Sequence, residues 1–273
     1  MKPIHKLLAT CGLGLLTSLA VASSGGPRLD RPALDRLDAA SLQKGAQAYV
    51  NYCLPCHSAS FMRYGRLTDI GFKEEDIKAA FVPPGAKIGD TMGNAMKPAD
   101  AKAWFGVLPP DLSVIARARG ADWLYTYLRG FYVDETKPTG WNNLVFKDVG
   151  MPHVLWQLSG SAKLVEKAFA SQTEAESALA KTRGVAEVIE KRQSGQDGKD
   201  TVQYFLRAVE PGKGAMLPEH YDAYVADLVN FLDYLGEPMK NQRIALGYMV
   251  LAFLLVLFVF AYLLKREYWK DVH

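Results

Sequence analysis

Cys53-Leu54-Pro55-Cys56-His57 is the stretch that decides how this chain is read. The Cys-x-x-Cys-His spacing sets two thiols one turn apart, so both sulfurs reach the vinyl groups on one edge of a porphyrin, and it offers the next imidazole to the iron. Other uses of a close cysteine pair fit less well. Cys11, Cys53 and Cys56 are the only cysteines in the chain, so no second pair completes a four-ligand zinc site. A thioredoxin-like pair wants a strand before it and a helix after it, whereas the residues ahead of Cys53 read as a helix. A disulfide closing so short a loop would stabilise little. The expectation is one haem c, held covalently through Cys53 and Cys56, with His57 as an iron ligand.

The helix ahead of the motif is written in its apolar spacing. Ser41 reads as an N-cap, and Leu42, Ala46, Tyr49, Val50 and Cys53 fall at i, i+4, i+7, i+8 and i+11. Far downstream, Pro218 suits a first-turn position. The stripe Tyr221, Tyr224, Val225, Leu228, Phe231, Leu232 and Leu235 then runs to a stop at Gly236 and Pro238. These two amphipathic helices are natural packing partners. Between them, Phe61 to Phe105 has little periodicity and reads as loops and turns. Residues 161–191, rich in Ala, Glu and Lys, read as a surface helix or hairpin interrupted at Gly184. Residues 193–198 read as an exposed loop, and residues 201–206 as a strand.

Both ends of the chain point to a membrane. Residues 1–22 carry Lys2 and Lys6, an apolar run from Leu7 to Val21 and the small-residue stretch Ala20-Val21-Ala22, the pattern of a cleaved secretory signal. Export suits covalent haem, which bacteria attach on the outer side of the inner membrane. Ile244 to Leu264 contains no charge and, at about 1.5 Å per residue, is long enough to cross the hydrocarbon core. Lys240, Arg243, Lys265 and Arg266 flank it, with Tyr268 and Trp269 at the level of an aromatic belt. The expected plan is a signal at 1–22, a periplasmic haem domain at 23–243, a single span at 244–264 and a cytoplasmic tail at 265–273 in a bacterial inner membrane.

Removing those ends changes what the net charge of +3 means. Of 32 Lys and Arg, two lie in the signal and three in the tail; of 29 Asp and Glu, two lie in the tail, leaving 27 of each sign in the exported domain. A formally neutral domain gives no case for nucleic-acid binding, and any steering of a charged partner rests on local patches.

The iron needs a sixth ligand, which helps set its potential. Met62, Met92, Met96, Met151 and Met216 are the methionines of the domain to consider, with His153 and His220 as chemical competitors. Met62 is too close to His57 to reach the other haem face easily. Met151, in Gly150-Met151-Pro152-His153, is preferred, because a flanking glycine and proline suit a loop that approaches a flat cofactor.

These residues together resemble the cytochrome c1 family, the haem subunit of the ubiquinol–cytochrome c reductase or cytochrome bc1 complex. The matching pieces are Cys53 to His57 followed by Ser58, Tyr64 and Arg66; Leu108-Pro109-Pro110-Asp111-Leu112-Ser113 leading to Arg117-Ala118-Arg119; Gly150-Met151-Pro152; and the closing helix with Glu237-Pro238, basic residues and one span. The resemblance implies a mainly α, class I cytochrome c-like haem domain with long loop insertions and a single C-terminal transmembrane helix. It implies His57 and Met151 as axial ligands, Arg119 as partner of a haem propionate, and Pro109 and Pro110 packed on the His57 side. It also implies electron relay from a Rieske iron-sulfur protein to a cytochrome c, beside cytochrome b in a dimeric complex, with no substrate site in this chain. The loop before Met151 and the insertion near 161–191 depart from the animal members. The alternatives are a mono-haem subunit of a terminal oxidase or nitric oxide reductase, and a haem-based sensor with an open sixth position.

Overall fold

The computed structural model describes residues 26–194 and 200–270. The signal expected at 1–22, part of the loop expected at 193–198 and the last three residues of the tail lie outside the described residues.

The first helix, α1, spans Ala39–Ala48 and passes into a π-helical turn over Tyr49–Cys53. Its N-cap is Asp38, whose carboxylate accepts from the amides of Ala40 and Ser41 at 3.0 and 3.1 Å. Ser41 is therefore not the cap. Its hydroxyl instead donates to Asp227 Oδ1, 2.6 Å away on the closing helix. After the haem motif come β1 (Ala59–Arg63), a 3₁₀ segment (Tyr64–Ile70), α2 (Glu74–Ala80), β2 (Thr91–Met92) and α3 (Pro98–Phe105). β1 and β2 pair antiparallel. The stretch 61–105 thus carries two short helices, a 3₁₀ segment and a ladder where its weak periodicity predicted loops and turns.

Two further helices, α4 (Ile115–Arg119) and α5 (Ala121–Arg129), lead into the antiparallel pair β3 (Phe131–Val133) and β4 (Trp141–Asn143), and α6 (Trp156–Ser159) follows. Then come β5 (Lys163–Phe169), α7 (Gln172–Lys181), β6 (Ala186–Ser194) and β7 (Asp200–Glu210), the three strands forming an antiparallel sheet of order β5-β7-β6. The strand expected at 201–206 is present and longer. The Ala, Glu and Lys rich stretch is a strand, a helix and a second strand, with Gln193 and Ser194 belonging to β6.

The closing helix α8 (Pro218–Gly236) starts with its proline in the first turn, as expected, and packs against α1. Gly45 makes the crossing possible, since a Cβ there would run into the Asp227 carbonyl and Phe231 Cβ. Leu42 and Ala46 from α1 and Tyr49 from the π-helical turn bury with Val225, Leu228 and Phe231 from α8, the Tyr49 and Phe231 rings 5.8 Å apart. Each large apolar side chain fully buried there contributes about 1.5–3 kcal/mol. This crossing is the frame on which the site is built.

A last helix, α9 (Lys240–Tyr268), contains 29 residues and is about 44 Å long by the α-helical rise. It extends four residues beyond the expected span at each end. None of its residues is buried, so its apolar surface faces outward all round. By length and composition it can cross a membrane.

Candidate functional site

The haem motif sits at the mouth of the α1–α8 crossing and is gripped by its backbone. Tyr49 Oη donates to the His57 carbonyl at 2.8 Å, and Asn94 Nδ2 donates to the Cys56 carbonyl at 2.5 Å. The segment Leu108 to Ser113 is zipped along residues 57–61. The Leu112 amide donates to the Ser58 carbonyl at 2.8 Å, Asp111 Oδ2 accepts from the Ser60 amide at 2.9 Å, and Ser113 Oγ accepts from the Phe61 amide at 3.0 Å. Burial pushes the Asp111 carboxyl up, but bonds from Ser113, whose amide donates to Asp111 Oδ1 at 2.8 Å, and from Ser60 bring it below its ordinary value, so it stays an acceptor.

That zipper fixes His57. Its Nδ1 lies 2.8 Å from the Pro110 carbonyl, which can only accept; Nδ1 carries the proton and Nε2 keeps its lone pair. Burial holds the imidazole below its ordinary pKa, outweighing the Pro110 and Asp111 contacts, so the ring is neutral, as a metal ligand must be. The Cys53 thiol is pushed up to about 12, first by burial and then by Cys56. A buried sulfur that resists ionising is well suited to an uncharged thioether.

A cavity of about 590 Å³ opens beside this segment, within the range of cofactor sites. Cys53, Cys56, His57, Pro109, Pro110, Arg119 and Met151 all line it, so the preferred sixth-ligand candidate, the haem motif and the residues that the resemblance implies meet in one place. Most of the remaining lining is apolar, from Phe105, Val107, Leu124, Leu128, Leu228 and Leu232. Arg119 is exposed, with its guanidinium 5.2 Å from the centroid of Trp123, and among the described residues no carboxylate pairs with it. A haem fits this donor set: two neutral sulfurs, an imidazole with its Nε2 lone pair available, a thioether and a guanidinium free for a propionate. Among the described residues no three His, Cys, Asp or Glu side chains converge as a metal site of their own.

His153 is placed elsewhere. It is buried, stacked on Phe131 at 4.8 Å and 7°, with Nε2 2.8 Å from Ser159 Oγ, and burial lowers it to about 4. Met62 and Met92 are buried in the core away from the cavity, and Met96, Met216 and His220 are not among its lining residues. Gly150 does allow a close approach, but to the end of α3 and just beyond it: a Cβ there would meet Val107 Cγ2 at 2.9 Å and the Phe105 carbonyl at 3.0 Å.

Several site residues were not singled out from the sequence. Asn142 Oδ1 accepts from the Asp148 amide at 2.8 Å, and Asn143 Oδ1 accepts from the amides of Val145 and Phe146 at 2.8 and 3.2 Å. The two buried amides shape the loop that carries Met151, with Asp148 turned into left-handed backbone at φ 59°. Trp123 and Tyr127 also line the cavity, and their four-residue spacing from Arg119 was the available signal.

Taken together, the fold and the cavity describe a cofactor-holding domain joined to an apolar helix. The Cytochrome C1 family model matches residues 31–159 and 215–272. The chain is 41% identical over 271 residues to the cytochrome c1 of Allochromatium vinosum, covering 99% of this chain and 100% of that one. It is 28% identical to the cytochrome c1 of Rhodospirillum rubrum, covering 98% of each. It is also 45% identical to a Nitrosomonas europaea protein named ammonia monooxygenase gamma subunit, over 96% of this chain and 97% of that one. The chain belongs to the cytochrome c1 family. Membership implies haem binding, and the residues between the two matched stretches are those of the β5-β7-β6 sheet and α7.

Proposed function

We propose that this chain is the membrane-anchored mono-haem c-type subunit of a quinol–cytochrome c reductase, relaying electrons from a Rieske iron-sulfur protein to a cytochrome c. The observation that carries this reading is the convergence of Cys53, Cys56, His57 and Met151, from distant parts of the chain, on one apolar cavity. Cys53 and Cys56 hold one haem c as thioethers, His57 and Met151 bind its iron, Arg119 pairs with a propionate, and Pro109 and Pro110 wall the His57 side. The haem supplies reversible one-electron chemistry at its iron. The chain's own residues do the rest: Pro110 fixes the imidazole tautomer, the apolar lining excludes water, and the loop shaped by Asn142 and Asn143 delivers the thioether.

In the same reading residues 1–22 direct export, the domain at 23–243 lies in the periplasm of a bacterium, the span at 244–264 crosses the inner membrane and the tail at 265–273 is cytoplasmic. Cytochrome b and the Rieske protein are its partners in a dimeric complex, quinol oxidation belonging to cytochrome b. The tether raises the local concentration of the haem domain around those partners.

Purification of the membrane complex through a tag on this chain tests the proposal. Cytochrome b and a Rieske protein should come with it, and the haem should stay on the chain after denaturing extraction. Recovery instead with an oxidase core, or with ammonia monooxygenase subunits as the name of the Nitrosomonas relative would have it, overturns it. Replacing Met151 with Leu should leave the haem covalently attached and lower its midpoint by on the order of a hundred millivolts, well inside the range axial ligands span. An unchanged midpoint refutes Met151 as ligand.

A further inference from the structure

We propose that Tyr127 is the positioning residue for the sixth iron ligand, its hydroxyl donating to the Met151 sulfur and so fixing the orientation and donor strength of the thioether. The inference rests on the reading of Met151 as an iron ligand. Tyr127 Oη lies 3.4 Å from Met151 Sδ, and because a thioether only accepts, the phenol is the donor. The sulfur has two lone pairs, so it can meet a metal with one and this O–H with the other.

The ring that carries the hydroxyl is held on both sides. It stacks on Trp123, one turn earlier on α5, at 4.8 Å and 9° from parallel, and meets Phe131 edge-on at 5.1 Å. Phe131 in turn carries the stacked His153 ring, and the Arg119 guanidinium closes the other end of the row over Trp123. Arg119 closes α4, Trp123 and Tyr127 lie one turn apart on α5 and Phe131 opens β3, so three successive elements contribute to one row of contacts. The row therefore clamps the loop 150–153 twice, at the Met151 sulfur and at the His153 ring. The Tyr127 carbonyl also accepts from Asn143 Nδ2 at 2.8 Å, which ties the row to the end of β4 where the chain turns toward Met151.

The sign of the effect follows from the donor. An O–H on the ligand sulfur draws electron density away from it and weakens its donation to the oxidised metal, which favours the reduced form. In the intact complex, Tyr127→Phe keeps the ring row and loses the hydroxyl. The haem should remain covalently bound, the thioether-to-iron charge-transfer absorption should remain but shift, and the reduced-to-oxidised ratio at a fixed ambient potential should fall about three- to tenfold, tenfold being 59 mV for a one-electron couple. Incorporation of 3-fluorotyrosine at position 127, a stronger donor of nearly the same shape, should move the ratio the other way, and it keeps the test intact even if the phenylalanine variant does not assemble. Midpoints and absorption unchanged in both proteins overturn the proposal. A wild-type complex without the thioether-to-iron absorption overturns it by a separate route, because Met151 itself would then not be the ligand.

Discussion

The end of α3 and Val107 just beyond it leave no room for a Cβ at Gly150, so this glycine sets how closely the Met151 loop lies against that side of the molecule. Gly150→Ala should cost about 1–3 kcal/mol in thermal unfolding by overpacking that contact. It should also loosen Met151 enough that carbon monoxide binds the reduced haem; a variant that stays closed to carbon monoxide would show that the loop tolerates the shift. His153 supplies the complementary test. His153→Phe keeps a ring stacked on Phe131 and removes the bond to Ser159, so it should cost about 1 kcal/mol with an unchanged haem spectrum, whereas loss of low-spin ligation would transfer the role to His153. Cys53, Cys56 and His57 stood out in the sequence because their spacing is distinctive, and the cavity they line also takes in Met151, Arg119, Pro109 and Pro110. What was not legible was their support. Asn142 and Asn143 act through contacts closed by the fold, and nothing in their immediate neighbours marks them.

At the level of elements, the two helices of the crossing were readable because each carries its own apolar stripe, and the sheet was not because its pairing is remote. Residues 161–191 are rich in helix-favouring Ala, Glu and Lys, yet β5 and β6 both pair with β7, which lies beyond them. Burial of Val185, Ala186, Leu206, Ala208 and Val209 across those strands outweighs the local preference. Where this module leaves and rejoins the haem domain, the chain passes itself at backbone contact. A Cβ on Gly160, whose φ is +80°, would lie 2.5 Å from the Lys213 carbonyl carbon and 2.6 Å from that of Gly212. Gly160→Ala should therefore destabilise by about 2 kcal/mol or more, combining left-handed strain with the clash. A melting temperature equal to wild type would show that the neck can open without cost.

For the whole molecule, the decisive contrast is between a packed domain and a helix that shares no buried residue with it. Because α9 adds nothing to the core, truncation after Met239 should give a soluble domain that keeps its haem and, within measurement, the potential it has in the full-length chain. A truncated protein that loses haem or aggregates would show that the tether also supports the site. The apolar run was the plainest part of the sequence to read, since length and lack of charge alone define it. The sheet module poses the opposite problem. Its two ends emerge side by side, at Gly160 and at Gly212 to Gly214, just where the family match breaks off at 159 and resumes at 215. From the haem's side the excursion has almost no width. Material can be gained or lost there with only the slow, logarithmic entropy of a longer loop, while the spacing from the Met151 loop to α8 stays as it is. The neck works as a socket, letting the chain change its outer equipment without retuning its iron.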